Sequence, residues 1–296
     1  MYREYATYIK EKFGSRVQKI ALNPGFGCPN RDGKIGVGGC TYCNNKTFSP
    51  FYGQASKPIE QQMDEGIAFF AKKYKCQKYI AYFQSYTNTY ANIDKLKEIY
   101  NSALKRDDVI GLTVATRPDC ADDQVLDLLV DFSKKYYTVL EIGVESCYNP
   151  TLQMINRHHT FQQAEDTIKR AAAKGLEVCV HLIMYLPGET YEMMMNTADI
   201  IKSLPVNILK LHQLQIIKGT EMEKQYFSQP ELFHLPTVEE YSKFCAEYAK
   251  RIGNEIIFER FVSESPKDML VAPLWNGLKN YEITEKIKKE YLKITK

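Results

Sequence analysis

The sequence predicts an α/β fold in which six parallel strands alternate with helices. The chain has 296 residues, of which 44% are hydrophobic and 25% charged, and this length suits one large domain. Six apolar runs have the length of strands, and between them apolar residues recur three and four positions apart, as in helices. Such alternation forms a parallel sheet with helical crossovers, which is either open or closes into a barrel. Six units are fewer than the eight of a complete barrel.

The predicted elements follow one another up to residue 215. The strands are expected at 17–22, 78–83, 110–115, 138–144, 177–184 and 207–214. The helices are expected near 57–74, 92–105, 121–135, 160–174 and 189–203, and Asp94 and Asp122 are suited to cap the second and third of them. A turn-rich connector, 218–236, then leads to a helix at 237–251, a short strand at 255–259 and a lysine-rich tail.

Charge and hydropathy indicate whether nucleic acids or membranes are expected as partners. The net charge of +3 is too small to mark a binder of polyanions. The last 18 residues hold six lysines against three glutamates, so we expect the tail to be a solvated helix that strengthens nucleic-acid contact only locally. No apolar run approaches the roughly 20 residues of a membrane span. The first residues lack a signal-peptide pattern, and we expect a cytoplasmic protein with no membrane partner.

A loop with three cysteines follows the first predicted strand. Residues 23–45 read NPGFGCPNRDGKIGVGGCTYCNN, in which Cys28, Cys40 and Cys43 are spaced C-x11-C-x2-C. Six glycines and two prolines between residues 24 and 39 exclude a helix or a regular strand. Outside secreted proteins, clustered cysteines indicate metal or redox chemistry rather than disulfides. The loop therefore predicts a metal centre.

Three thiolates leave the identity of the metal open. A 4Fe-4S cluster and a structural zinc ion both usually take four ligands. No fourth cysteine is near in sequence, because Cys76 lies beyond a predicted helix. Either a distant residue completes the site, with His158 or His159 as the choices for zinc, or one metal position stays open for a small molecule. Because ligands of parallel α/β folds bind at the carboxyl ends of strands, the position of the loop suits a functional site.

Further motifs extend this pattern over nearly the whole chain. YFQSYTNTY, TRPDC, EIGVES, NRHHT, LPGET and a late ERF…AP.W segment follow in that order. Together with CPNRDG and GGCTYCNN, they resemble the YhcC/YtqA-like family of radical S-adenosylmethionine (SAM) enzymes. The wider relatives are the methylthiotransferases and the catalytic subunit of Elongator. The chain departs from the common radical SAM spacing, C-x3-C-x2-C, in the distance between its first two cysteines.

The resemblance implies a partial (β/α)6 barrel of the TIM type with a C-terminal helical and strand extension. It divides the chain into an N-terminal helical segment, residues 1–16, a core barrel, 17–215, and an extension that closes the barrel, 216–296. It also implies an oxygen-sensitive enzyme whose three loop cysteines bind a 4Fe-4S cluster. Such an enzyme cleaves SAM reductively to a 5′-deoxyadenosyl radical, with a reductase of the flavodoxin or ferredoxin type as its electron donor.

The resemblance implies roles for five residues in binding SAM. Glu145, at the end of the fourth predicted strand, would accept the ribose hydroxyls. Arg157 would pair with the carboxylate, which a guanidinium fork matches in geometry. Gln84 and Ser85 would hold the amino group through their backbone, and Gly188 would lie beside the adenine.

The substrate is not encoded in these motifs. Cys120 and Cys147 follow strands at the same edge, and either thiol is a candidate for donating a hydrogen atom to a substrate radical. Arg117, Asp119 and His212 are candidate substrate contacts for the same reason. The wider relatives and the lysine-rich tail favour an RNA such as tRNA, and a small molecule or a protein side chain is the alternative. The alternative from another class is a zinc-stabilised interaction protein without catalytic activity.

Overall fold

The computed structural model describes residues 1–47, 49–74 and 77–295, so Cys76 lies outside the described residues. The strands are β1 (Val17–Leu22), β2 (Lys78–Phe83), β3 (Val109–Thr116), β4 (Tyr137–Glu145), β5 (Glu177–Met184), β6 (Ile208–Gln213), β7 (Ile216–Ile217), β8 (Ile257–Arg260) and β9 (Leu270–Ala272). The helices are α1 (Tyr5–Phe13), α2 (Ile59–Ala71), α3 (Ile93–Ala103), α4 (Asp123–Ser133), α5 (Asn149–Met154), α6 (Phe161–Ala173), α7 (Tyr191–Lys202), α8 (Glu221–Ser228), α9 (Val238–Ile252) and α10 (Asn280–Thr295).

Seven parallel strands form the main sheet in the order β1-β2-β3-β4-β5-β6-β8. Side chains from β2, β4, β5, β6 and β8 line one cavity, so the sheet curls around it as a half-barrel. This confirms the predicted fold class, and all six predicted strands are present. The seventh strand, β8, comes from the C-terminal extension and pairs with β6. The sequence predicts this strand but not its partner, because a run of four residues carries no register signal.

The helices between the strands begin where local chemistry favours a start. Asp122 caps α4, because its side chain accepts a hydrogen bond from the backbone N–H of Val125, as predicted. At α3 the prediction is wrong by two residues, since Asn92 is the cap and Asp94 lies in the first turn. Thr160 and Gln163 form a capping box at the start of α6.

The extension packs against the half-barrel and ends in the predicted tail helix. Helix α9 packs on α7, and α10 packs on α9. In the described part of the chain, no helix is both long and apolar enough to cross a membrane. Most tail lysines are paired with glutamates: Lys279 with Glu264, Lys286 with Glu239, Lys288 with Glu4, and Lys293 with Glu290. The tail is therefore a largely neutralised surface rather than a free basic patch.

Candidate active site

A cavity of about 150 Å³ lies at the carboxyl ends of the strands, under the cysteine loop. Cys28, Cys40 and Cys43 all line it, so the structure brings the three predicted metal ligands to one place. Cys40 is buried, whereas Cys28 and Cys43 are partly exposed. Short turns hold the loop, with the N–H of Cys43 donating to the carbonyl of Cys40 over 3.0 Å.

The cysteine loop is docked on the turn that precedes α6. Asn30 is fully buried, and its Nδ2 donates to the carbonyl of Asn156 over 2.7 Å and lies 3.5 Å from Sγ of Cys40. In return, Nδ2 of Asn156 donates to the carbonyl of Gly39 over 2.8 Å. A Cβ at Gly36 would lie 2.3 Å from Oδ1 of Asn30, so the approach requires glycine there. Sequence reasoning missed Asn30, although the CPNRDG motif contains it.

Arg157 joins this loop to the end of β4. Its Nη1 lies 3.5 Å from Sγ of Cys40, and its Nη2 donates to the carbonyl of Gly143 over 2.7 Å. Nη2 also lies 3.3 Å from Oε1 of Glu145, and Nε donates to Nε2 of His159 over 3.0 Å. The hydrogen bonds to Cys40, Gly143 and His159 use three of the five N–H groups of the guanidinium, which leaves two for Glu145 or a ligand.

The two histidines beside Arg157 do not complete a zinc site. Because Nε2 of His159 accepts from Arg157, the proton lies on Nδ1, which faces the carbonyl of Thr160 at 3.2 Å. Burial and the neighbouring arginines lower the pKa of His159 to about 3, so the ring is neutral. Both of its nitrogens already face a protein partner. His158 is exposed. Among the described residues, no three His, Cys, Asp or Glu side chains converge closely enough to hold one metal ion.

Three cysteines that line one cavity suit an iron-sulfur cluster, whose ligands are cysteine thiolates. Burial and the neighbouring Cys40 raise the pKa of Cys43 to about 11, although Arg31 opposes this. A thiol with such a pKa is protonated at neutral pH, and a bound metal is what favours its thiolate.

Glu145 is the acidic group of the cavity. It is buried at the end of β4 with a φ of 66°. Burial opposes its ionisation, but His181 and Arg157 outweigh burial and lower its pKa to about 2. Nδ1 of His181 lies 2.9 Å from Oε2 of Glu145, so this oxygen faces the histidine ring, and the carboxylate keeps further lone pairs for a ligand. An ionised acceptor of this kind fits the hydroxyl groups of a ribose.

Gly143 lets the two charged groups approach the backbone of β4 closely. A Cβ at this position would lie 2.6 Å from Nη2 of Arg157 and 2.7 Å from Oε1 of Glu145. Glycine is therefore required for Arg157 and Glu145 to meet beside the cavity, which all three residues line. The residues present thus fit a zwitterionic cofactor that carries hydroxyl groups.

Of the other three predicted SAM contacts, one lines the cavity and two do not. Gln84 lines the cavity just beyond β2, as expected for a residue that binds the cofactor. Ser85 is buried, but its hydroxyl lies 3.3 Å from that of Ser49 and its side chain does not line the cavity. Gly188 is exposed, has a φ of 81°, and lies beside Met154 outside the cavity. Their predicted roles stay predictions.

The two candidate hydrogen-atom donors lie outside the cavity. Cys120 lines a separate surface pocket, and burial together with Asp119 raises its pKa to about 12. Cys147 is 8% exposed and packs in the apolar core, where burial raises its pKa further. Neither position supports the predicted role in donating a hydrogen atom.

Two of the three candidate substrate contacts do line the cavity. Arg117 is fully buried and bonds Asp119 through Nε and Nη2 over 2.9 Å each, while its Nη1 has no partner among the described residues. His212 lies deeper on β6, and burial, then His181, lower its pKa. Asp119 lines the outer pocket instead.

Sequence reasoning also missed two residues on the far wall of the cavity. His181 on β5 contacts Glu145 on one side, and Nη2 of Arg260 on β8 lies 3.2 Å from its Nε2 on the other. Alternation along β5 could have assigned His181 to an interior face. Arg260 had no such signal, because the sequence did not show that β8 joins the sheet.

Comparison with known proteins gives matches along nearly the whole chain. Residues 22–201 match the radical SAM superfamily, and residues 206–293 match the radical SAM C-terminal domain. The chain is 35% identical to YtqA of Bacillus subtilis over 283 residues, which cover 96% of this chain and 87% of YtqA. It is 36% identical to YhcC of Escherichia coli over 268 residues, which cover 90% of this chain and 85% of YhcC.

Two further matches concern proteins of archaea. A stretch of 142 residues, 46% of this chain, is 30% identical to 25% of a tRNA uridine(34) acetyltransferase of Methanocaldococcus infernus. Among solved structures, Elp3 of Methanocaldococcus infernus with an N-terminal deletion has a TM-score of 0.68 at 18% identity, covering 94% of this chain and 63% of that one. The latter likeness shows the fold alone.

Proposed function

The chain belongs to the radical SAM superfamily, as an enzyme that uses a 4Fe-4S cluster and SAM, and we propose that Cys28, Cys40 and Cys43 bind the cluster. The observation that carries this proposal is that all three cysteines line the cavity that also contains Glu145 and Arg157. When bound, the reduced cluster supplies the electron that cleaves SAM, and SAM supplies the group that abstracts a hydrogen atom from the substrate. The protein contributes binding, orientation and exclusion of side reactions.

The residues around Gly143 would hold SAM. Glu145, kept ionised by His181 and Arg157, would accept hydrogen bonds from the ribose hydroxyls through its carboxylate lone pairs. Arg157 would offer to the SAM carboxylate an N–H that its hydrogen bonds within the described chain do not use, while it holds Cys40 and Glu145 in place. The backbone after β2, at Gln84, would meet the amino group.

The reaction needs a one-electron donor, and we propose a reductase of the flavodoxin or ferredoxin type. The partial exposure of Cys28 and Cys43 supports an approach of the donor from the loop side, whereas the strands enclose the other sides of the cavity.

For the substrate we propose an RNA, with tRNA favoured. The partial similarity to a tRNA uridine(34) acetyltransferase supports this choice. The lysine-rich tail does not, because most of its lysines are paired with glutamates. A small molecule or a protein side chain remains the competing substrate class, which the binding experiment in the next subsection separates.

The test of the radical function is anaerobic reconstitution with iron and sulfide, followed by dithionite and SAM. We expect a brown protein that forms 5′-deoxyadenosine, measured by chromatography. Cys43→Ala should lose iron and abolish the product, whereas Cys120→Ala, which removes a thiol outside the cavity, should keep both. A colourless protein that binds one zinc ion and forms no 5′-deoxyadenosine would overturn the proposal.

A further inference from the structure

A groove of about 1010 Å³ lies beside the cysteine loop, at the surface of the molecule. Six residues line both this groove and the cavity: Arg31, Gly39, Cys40, Cys43, Asn45 and Tyr86. The groove is therefore the opening of the cavity, and we call it the entry groove. Its volume lies at the upper end of the roughly 300–1,000 Å³ of small-molecule pockets. It has room for a small molecule or for one part of a larger substrate, so the choice between them rests on the groups that line it.

The charge of the entry groove favours an anionic partner. Three of its lining side chains are cationic, namely Arg31, Lys46 and Lys224, and one, Glu221, is acidic. Glu221 pairs with Lys224 over 2.8 Å, but both side chains are more than half exposed, so the pair is weak and open to exchange. Within the described residues Lys46 has no acidic partner, and the groove carries a net positive charge. Phosphate groups would complement it.

The ring of Tyr86 and the side-chain amide of Asn45 lie where the entry groove meets the cavity. Tyr86 is 40% exposed and has a φ of 61°, a left-handed backbone conformation that a tyrosine rarely adopts. The guanidinium of Arg31 lies 5.8 Å from its ring centre. Beside it, Nδ2 of Asn45 is buried and lacks a hydrogen-bond partner in the described chain. The fold thus holds an exposed ring and an unused donor at the entrance.

We propose that the entry groove binds a single-stranded segment of RNA and presents one nucleotide to the cavity, an inference that rests on the proposed function. The cations would bind phosphates, the ring of Tyr86 would stack on a base, and Nδ2 of Asn45 would donate to a base edge. An acidic peptide would match the cations alone and leave the ring and the amide unexplained. Duplex RNA exposes no base face for stacking, so an unpaired segment fits better.

The test measures binding of a labelled single-stranded RNA oligonucleotide to the reconstituted holoenzyme by fluorescence anisotropy over a series of salt concentrations. Lys46→Gln and Lys224→Gln should each reduce the slope of log affinity against log salt by about 0.7. Lys289→Gln, a matched change of an exposed lysine on α10 that has no ion pair among the described residues, should leave the slope unchanged. Tyr86→Leu should weaken binding roughly 5- to 150-fold, whereas Tyr281→Leu, at a ring 70% exposed on α10, should not.

Iron content and circular dichroism of each variant report whether it is folded and loaded. RNA binding that is lost in Lys289→Gln but retained in the groove variants would overturn the proposal. A wild-type holoenzyme that forms 5′-deoxyadenosine but binds no RNA would overturn the entry groove as an RNA site while leaving the radical function intact, and would favour a protein or a small molecule. A wild-type holoenzyme that binds RNA but does not cleave SAM would contradict the radical function and leave the RNA site intact.

Discussion

At the scale of single residues, Arg157 connects more of the site than any of the cysteines does. Its guanidinium reaches Cys40, the carbonyl of Gly143, Glu145 and His159. A planar fork can make these contacts in several directions at once, whereas a lysine ammonium concentrates its charge at one point. Arg157 thus contributes to the position of Cys40, a proposed cluster ligand, and, together with His181, to the ionisation of Glu145.

Arg157→Lys should therefore impair cluster and SAM binding together. We expect a lower iron content after reconstitution and SAM binding weakened roughly 10- to 100-fold, because charge-assisted hydrogen bonds worth about 1.5–3 kcal/mol are lost. Iron analysis and equilibrium dialysis with SAM measure the two effects. Arg170→Lys, at an arginine that bonds Asp166 and Asp123 on the surface, is the matched control. Unchanged iron and SAM affinity in Arg157→Lys would contradict this role.

The sequence predicts those residues of the site that belong to a local motif and misses those that depend on contacts between distant segments. The cysteines and Glu145 belong to motifs at strand ends, and Arg157 belongs to the NRHHT motif before α6, so spacing and resemblance find them. Asn30 and His181 act through contacts between distant segments, and no local pattern states which segments meet. Cys147 was placed at the correct strand end, but its side chain turns into the apolar core. That direction depends on the backbone after β4, where Glu145 adopts a left-handed conformation.

At the scale of elements, the end of β4 is tied to the start of α7 through a buried carboxyl group. The hydroxyl of Ser146, just after β4, donates to Oε1 of Glu189, just before α7. Burial raises the pKa of Glu189 to about 7, against hydrogen bonds from Ser146 and Thr151 that lower it. The folded protein therefore holds this proton more tightly than the unfolded chain does.

This junction should make stability depend on pH in a defined direction. The contribution of the protonated carboxyl is complete below about pH 4.5, the ordinary pKa, and is lost as the pH rises through about 7. Its size is roughly 3 kcal/mol at most. In Glu189→Gln the side chain is neutral throughout, so its free energy of unfolding should fall less between pH 5 and pH 7.5 than that of the wild type. Urea unfolding at both pH values measures the difference.

The control for this comparison is Glu192→Gln, because Glu192 is exposed in the first turn of α7. It should show the pH dependence of the wild type. If Glu189→Gln loses as much stability over this pH range as the wild type, the carboxyl group of Glu189 does not retain its proton in the folded protein.

At the scale of the whole molecule, an ionic network forms the floor of the half-barrel. Lys210 on β6 is 1% exposed; its Nζ donates to the hydroxyl of Tyr82 over 3.0 Å and contacts Glu141 and, at 3.1 Å, Glu259. Lys19 on β1 lies 2.6 Å from Glu259. The network thus links β1, β2, β4, β6 and β8, where a complete barrel is usually filled by apolar side chains. Burial disfavours the charged form of Lys210, but the carboxylates outweigh it and raise its pKa.

Because five strands meet in this network, Lys210→Met should destabilise the molecule as a unit. Removing one partner of a buried ion pair leaves uncompensated charge, here on Glu141, since Glu259 keeps Lys19, and costs about 3–5 kcal/mol. The free energy of unfolding in urea measures this loss. Lys169→Met breaks an exposed pair with Glu165 on α6 and should cost only about 0.3–0.5 kcal/mol. An equal, small effect of both changes would show that water reaches the floor of the half-barrel, and the network would then not hold its strands together.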